Sequence, residues 1–206
     1  KMTAQQRNQL LDFYISCIQR HLFYHGQNRT FLSKNAAFAG WVGPLSKRLP
    51  DARFLICVRH PMSALSSQLS SLRSARKLFA TDPDGQITKE RMTAIFTSSY
   101  RDLAELTGSI PSEQMAIIEQ SDLRADGVDI LNQATDQLSL PSYPVTKKLN
   151  NMKKRQSGNP HPHSASDYGL ENKEIEVCLM PAYQLILKSK MRITPRISPP
   201  IHEHGD

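Results

Sequence analysis

The chain has 206 residues, enough to bury one good core, so a single domain is the default. Lysine and arginine outnumber aspartate and glutamate by 26 to 19, and the resulting charge of +7 points to anionic ligands or partners without choosing among nucleic acid, a phosphorylated cofactor and an acidic glycan. No run reaches the ~18 apolar residues of a membrane span, no signal peptide opens the chain, and Cys17, Cys57 and Cys178, far apart and without a CxxC, indicate neither a zinc site nor a disulfide framework.

Residues 3–25 read as a helix that Thr3 can cap. Leu10, Leu11, Tyr14, Ile15, Ile18 and Leu22 recur at helical spacing, and Gly26 stands at the stop. Asn28 to Thr30 turn the chain into a short predicted strand, Phe31-Leu32-Ser33, ending at Lys34-Asn35. A second helix is predicted over about 38–49, and Leu49-Pro50-Asp51-Ala52 leads into an apolar, β-rich run, Phe54 to Val58. The order α-β-α-β-α predicts a parallel sheet with helices on its faces, a three-layer αβα fold. The chain starts at Lys1, directly in helix-like sequence, so an upstream portion is expected to be missing.

The stretch Ala52 to Gln68 is the centre of this pattern. Arg59 follows the apolar run at once, and Pro61 then starts a helix. In open α/β sheets, ligands bind in the crevice at the carboxyl ends of the strands. A helix N-terminus there offers free N–H groups and the positive end of a dipole, so the natural guest is an anion. Within the helix, Met62, Leu65, Leu69 and Leu72 form an apolar stripe, and Ser63, Ser67, Ser70 and Ser74 lie nearly opposite. Arg59 at the turn and Ser67, eight residues on, can grip one phosphate, whereas the plainer alternative is a solvated serine face and a structural arginine.

TDPDG at 81–85 is a turn, and residues 87–107 form a long helix carrying Met92, Ile95, Phe96, Tyr100, Leu103 and Leu106. Met115 to Ile118 make a second buried-type strand, followed by an amphipathic helix over 122–138. The hydrophobic fraction of 39% is low for a globular domain, and the shortfall sits mostly after Pro141. There a basic, proline-punctuated loop over 141–166 precedes a last helix, Asn172 to Lys190, that Pro181 kinks. Unstructured loops of this length are disordered or functional. The expected organisation is one domain over 1–191, with that loop inside it, and a tail over 192–206.

Four segments, in order, resemble the sulfotransferase superfamily, in particular its bacterial-type branch acting on carbohydrate, lipid or small-molecule hydroxyls. FLSKNAAFAGWVGPLSKRLPDARF resembles the strand ending in Lys-Asn or Lys-Ser-Pro, with its helix and the approach to the next strand. ICVRHPMSALSSQ resembles the 3′-phosphate-binding segment, with its Arg and Ser eight apart. MAIIEQSDLRADGVDILNQATDQLSLP resembles the strand and helix usually written Tyr-Glu-Asp-Leu to Leu-Gly-Leu-Pro, and HPHSASDYGL the late segment ending in Tyr-Gly-Leu. The resemblance covers most of residues 8–190. It implies a P-loop-NTPase-like parallel sheet and transfer of a sulfuryl group from 3′-phosphoadenosine 5′-phosphosulfate (PAPS) to an acceptor hydroxyl, with no metal.

Carried over residue by residue, the resemblance gives Arg59 and Ser67 the 3′-phosphate. A forked guanidinium suits that role. Lys34 becomes a candidate near the transferring sulfuryl group, and Arg155, Ser157 and His161 become weaker candidates for further phosphate contacts. Three departures qualify this. No glycine-rich 5′-phosphosulfate loop occurs among the nine scattered glycines, so the chain resembles a sulfotransferase's C-terminal part or a degenerate member. Ala36 and Phe38 stand where some branches have the Pro of Lys-Ser-Pro and a catalytic His, and phenylalanine accepts no proton, so the base is unassigned. Ser121 stands where the motif has Glu.

The rivals are a P-loop-type kinase, which would carry GxxxxGKS/T, and a polyanion- or nucleic-acid-binding module built on Lys147 to Arg155. The second lacks interleaved aromatics. The histidine pairs 161/163 and 202/204 sit in a proline-rich loop and a polar tail, a setting that usually carries unbound histidines. The cysteine usage and lack of a signal favour the cytoplasm.

Overall fold

A computed structural model describes residues 2–79, 82–141, 168, 170 and 173–190. Its elements in chain order are α1 (Ala4–His25), a short 3₁₀ helix (Ala36–Trp41), α2 (Val42–Arg48), β1 (Phe54–Val58), α3 (Pro61–Phe79), α4 (Gln86–Leu106), β2 (Met115–Glu119), α5 (Gln120–Ala125), α6 (Gly127–Gln137) and α7 (Lys173–Lys188). The basic loop, with Arg155, Ser157 and His161, and the tail lie outside the described residues.

The two strands form a parallel sheet in the register Phe54↔Met115 to Val58↔Glu119. A parallel pair needs a long crossover, which α3 and α4 supply. Side chains alternate along β2. Met115 and Ile117 join Val58, Tyr100, Leu103, Tyr183 and Ile186 on one face, whereas Ala116 and Ile118 pack with Ile130, Ala134 and Leu138 of the α6 region on the other. All four are buried. Among the described residues β1 is covered on one face only. Phe54, Ile56 and Val58 face the α4–α7 cluster, while Leu55 is 41% exposed and Cys57 is exposed. A third cluster joins Leu65 and Leu69 of α3 to Leu170, Ile175 and Leu179. Each such burial stabilises the fold by about 1.5–3 kcal/mol. The apolar stripe predicted for α3 therefore faces inward, while Ser63 and Ser74 are exposed and Ser67 and Ser70 half-buried.

The helix starts follow local chemistry. Thr3 and Gln6 cap α1 reciprocally, through Gln6 N–H to Thr3 Oγ1 (3.2 Å) and Thr3 N–H to Gln6 Oε1 (2.9 Å). α4 begins after the left-handed Gly85, where the Asp82 carboxylate accepts from Thr88 N–H (2.7 Å) and Thr88 Oγ1 (2.6 Å). Of the turn predicted at 81–85, Asp82 to Gly85 are described, and they do turn the chain.

Three expectations need correction. Phe31-Leu32-Ser33 makes no strand, and Leu32 is 90% exposed. Among the described residues no neighbouring strand is present to pair it. The predicted helix at 38–49 is a 3₁₀ turn followed by α2, because the Asn35 side chain caps the chain early, accepting from Ala37 N–H (3.0 Å). The helix predicted over 122–138 is two helices. Asp126, at φ −144° and ψ 69°, leaves the helical region between them. Pro181 lies within α7.

Candidate functional site

The carboxyl ends of β1 and β2 lie side by side, since Val58 pairs with Glu119. Arg59 and His60 follow β1, and α3 starts at once with buried Pro61. Tyr100 of α4 fixes this turn by donating its hydroxyl to the Arg59 carbonyl at 2.6 Å. Burial pushes that hydroxyl up to about 12, so it remains a protonated donor over the working range of pH. The His60 ring packs edge-on against Tyr183, with centroids 5.6 Å apart.

On the β2 side the acids are occupied. Glu119 accepts from the Tyr183 hydroxyl at 2.6 Å and from Lys190 Nζ at 3.2 Å, and Lys190 also bonds Asp122 at 2.5 Å. The Tyr183 bond, the Lys190 ammonium and the Ser121 hydroxyl hold the Glu119 carboxyl below its ordinary value, against the effect of burial. Burial, and next the same carboxylate, push the Tyr183 hydroxyl up, and the two acids keep Lys190 protonated.

The arginines are arranged differently. Arg59 is half-buried, and no carboxylate pairs with it among the described residues. Partial burial, and next the like charge of Arg124 on α5, lower its pKa. The Arg59 carbonyl is thus anchored while the guanidinium has no carboxylate partner among the described residues. Ser67 sits on the second turn of α3, half-buried, with no hydrogen bond from its hydroxyl to another described residue. Lys34 is exposed in the segment before the 3₁₀ turn, and no contact joins it to Arg59 or Ser67. Phe38, at the motif's histidine position, instead packs edge-on against Tyr14.

Sequence reasoning missed Tyr100, Glu119, Arg124, Tyr183 and Lys190. One signal was available. Glu119 ends the second strand as Arg59 follows the first, and strand ends in a parallel sheet converge. Tyr183 lies 64 residues from Glu119 in sequence, so no local pattern marks that pair.

The fold is a helix-rich α/β arrangement in which Arg59 and Glu119 stand at the ends of two parallel strands. The family model described as "Sulfotransferase family" matches residues 2–144, well over half of the chain. The chain belongs to the sulfotransferase family. No curated protein and no solved structure matches it.

Proposed function

We propose that the chain binds the 3′-phosphate of PAPS at the end of β1 and serves transfer of the sulfuryl group to an acceptor hydroxyl of a carbohydrate, lipid or small molecule. The observation that carries this reading is the Arg59 turn, whose backbone is held by Tyr100 while its guanidinium lacks a carboxylate partner among the described residues. The family relationship supports the donor class. The three-layer, P-loop-like sheet belongs to the same proposal. Helices on both faces of β2 support it, as does the crossover through α3 and α4.

In this reaction the acceptor oxygen forms a bond to sulfur, in line with the breaking bond from sulfur to the 5′-phosphate oxygen. The hydroxyl proton goes to a base, and adenosine 3′,5′-bisphosphate leaves. This chain's residues bind and orient. Arg59 and Ser67 hold the 3′-phosphate, and Lys34 is the candidate for the sulfuryl side. Cations at the leaving oxygens stabilise the charge that develops there. No glycine-rich loop in the 206 residues is available to hold the 5′ side, so the chain binds nucleotide weakly and turns over little. No described helix is long and apolar enough to cross a bilayer.

Calorimetric or NMR titration with adenosine 3′,5′-bisphosphate tests the assignment. Saturable binding that weakens about ten-fold or more in Arg59→Gln is expected. A wild-type chain that ignores the nucleotide but binds DNA with steep salt dependence would overturn it.

A further inference from the structure

We infer that Arg124 is a second guanidinium of the phosphate grip, facing the same nucleotide 3′-phosphate as Arg59 from the neighbouring strand end. The inference rests on the 3′-phosphate reading of Arg59 and adds a binding residue to it. The motif resemblance gave Arg124 no role.

Three observations converge. First, the parallel register places the chain segments after Val58 and Glu119 beside each other, and α5, which carries Arg124, begins directly after β2. Arg124 stands one turn into α5, and the Arg59 guanidinium feels its charge. Second, the acids at the end of β2 and the start of α5 are already engaged. Glu119 is held by Tyr183 and Lys190, and Asp122 by Lys190. Third, Arg124 is exposed and makes no ion pair or hydrogen bond from its side chain within the described residues.

Two like charges that feel each other, with the acids at the end of β2 engaged elsewhere, cost the free protein energy that a doubly charged anion recovers on binding. A phosphate monoester suits this arrangement, because its oxygens accept from two forks at once. The Lys190–Tyr183 anchor then has a second consequence. By engaging Glu119 and Asp122 it leaves the arginines to the ligand.

The test compares adenosine 3′,5′-bisphosphate with adenosine 5′-monophosphate, which lacks the 3′-phosphate, on the full chain. The wild type should prefer the bisphosphate. Arg124→Gln should cut that preference about ten-fold while leaving monophosphate affinity within about two-fold, and Arg124→Lys should retain part of it. An unchanged melting curve for the exposed Arg124 variants shows that the fold is intact. If Arg59→Gln abolishes the preference and Arg124→Gln does not, the role of Arg124 is overturned while the 3′-phosphate site stands. If the wild type shows no preference, both readings fall together.

Discussion

Gly85 turns the chain into α4 with φ +77°, a conformation that costs a side chain dearly. A Cβ built there lies 1.7 Å from Nη1 of Arg76, which is itself tied to the Asp82 carbonyl at 3.3 Å. Gly85→Ala must therefore strain the turn and displace a held guanidinium. We expect a loss of about 1–3 kcal/mol, read as a lower denaturant midpoint with an unchanged slope. An unchanged midpoint would show that the turn relaxes freely. Tyr100 offers a second test at this scale. Tyr100→Phe removes the donor to the Arg59 carbonyl, leaving a partly buried acceptor unmet, at a cost of about 1–3 kcal/mol. The bisphosphate affinity should fall with it although Arg59 is intact. Full affinity in a destabilised Tyr100→Phe chain would separate the hydrogen bond from the site.

The contact of α7 with the end of β2 makes the molecule sensitive to pH at a defined place. The carboxyl of Glu119 is depressed in the folded chain, first by the Tyr183 hydroxyl. A depressed acid contributes stability above its unfolded pKa, here the ordinary 4.5, and loses it as pH falls through the lower folded value. Tyr183→Phe should cost about 1.5–3 kcal/mol at neutral pH, as expected for a hydrogen bond to a charged group. It should also flatten the decline of stability below pH 4.5, because Glu119 is then less depressed. Thermal melts from pH 3 to pH 7 compare the two slopes, and identical slopes would mean that the pair does not titrate with folding. The elements themselves were largely legible. α1, β1, α3, α4 and β2 follow from apolar periodicity and the Gly, Pro and Thr signals beside them. The Phe31–Ser33 strand failed because three β-prone residues need a partner strand, which local sequence cannot supply. The break at Asp126 was hidden because the apolar spacing runs through it. In the site, Arg59 and Ser67 were visible as a local motif. Tyr183 and Lys190, which meet Glu119, were not, because only the docking of α7 brings them to the end of β2.

At the scale of the whole molecule, the family match and the fold have different ends. The match stops at residue 144, yet Leu170, Leu179 and Ile186, all at 0% exposure, lie beyond it. They are not an appendage. Leu170, Ile175 and Leu179 cover Leu65 and Leu69 of α3, while Tyr183 and Ile186 cover Tyr100, Leu103 and Ile117. Burying each of these five side chains stabilises the fold by about 1.5–3 kcal/mol, against a net stability of roughly 5–15 kcal/mol for a typical domain. The entropy of ordering α7 offsets part of that gain, but its removal also bares the apolar faces of α3, α4 and β2. A chain ending at Pro141 is therefore expected to lose its cooperative melt and to bind hydrophobic dyes, while keeping much of its helical signal. The full chain should melt in one transition. A truncated chain that melts cooperatively at the same temperature would show that residues 2–141 close their own core. Lys190 and Tyr183 would then matter only for the charge balance at the strand ends. If the melt collapses, that charge balance and the core depend on the same helix, so a mutation that loosens α7 weakens phosphate binding and stability together.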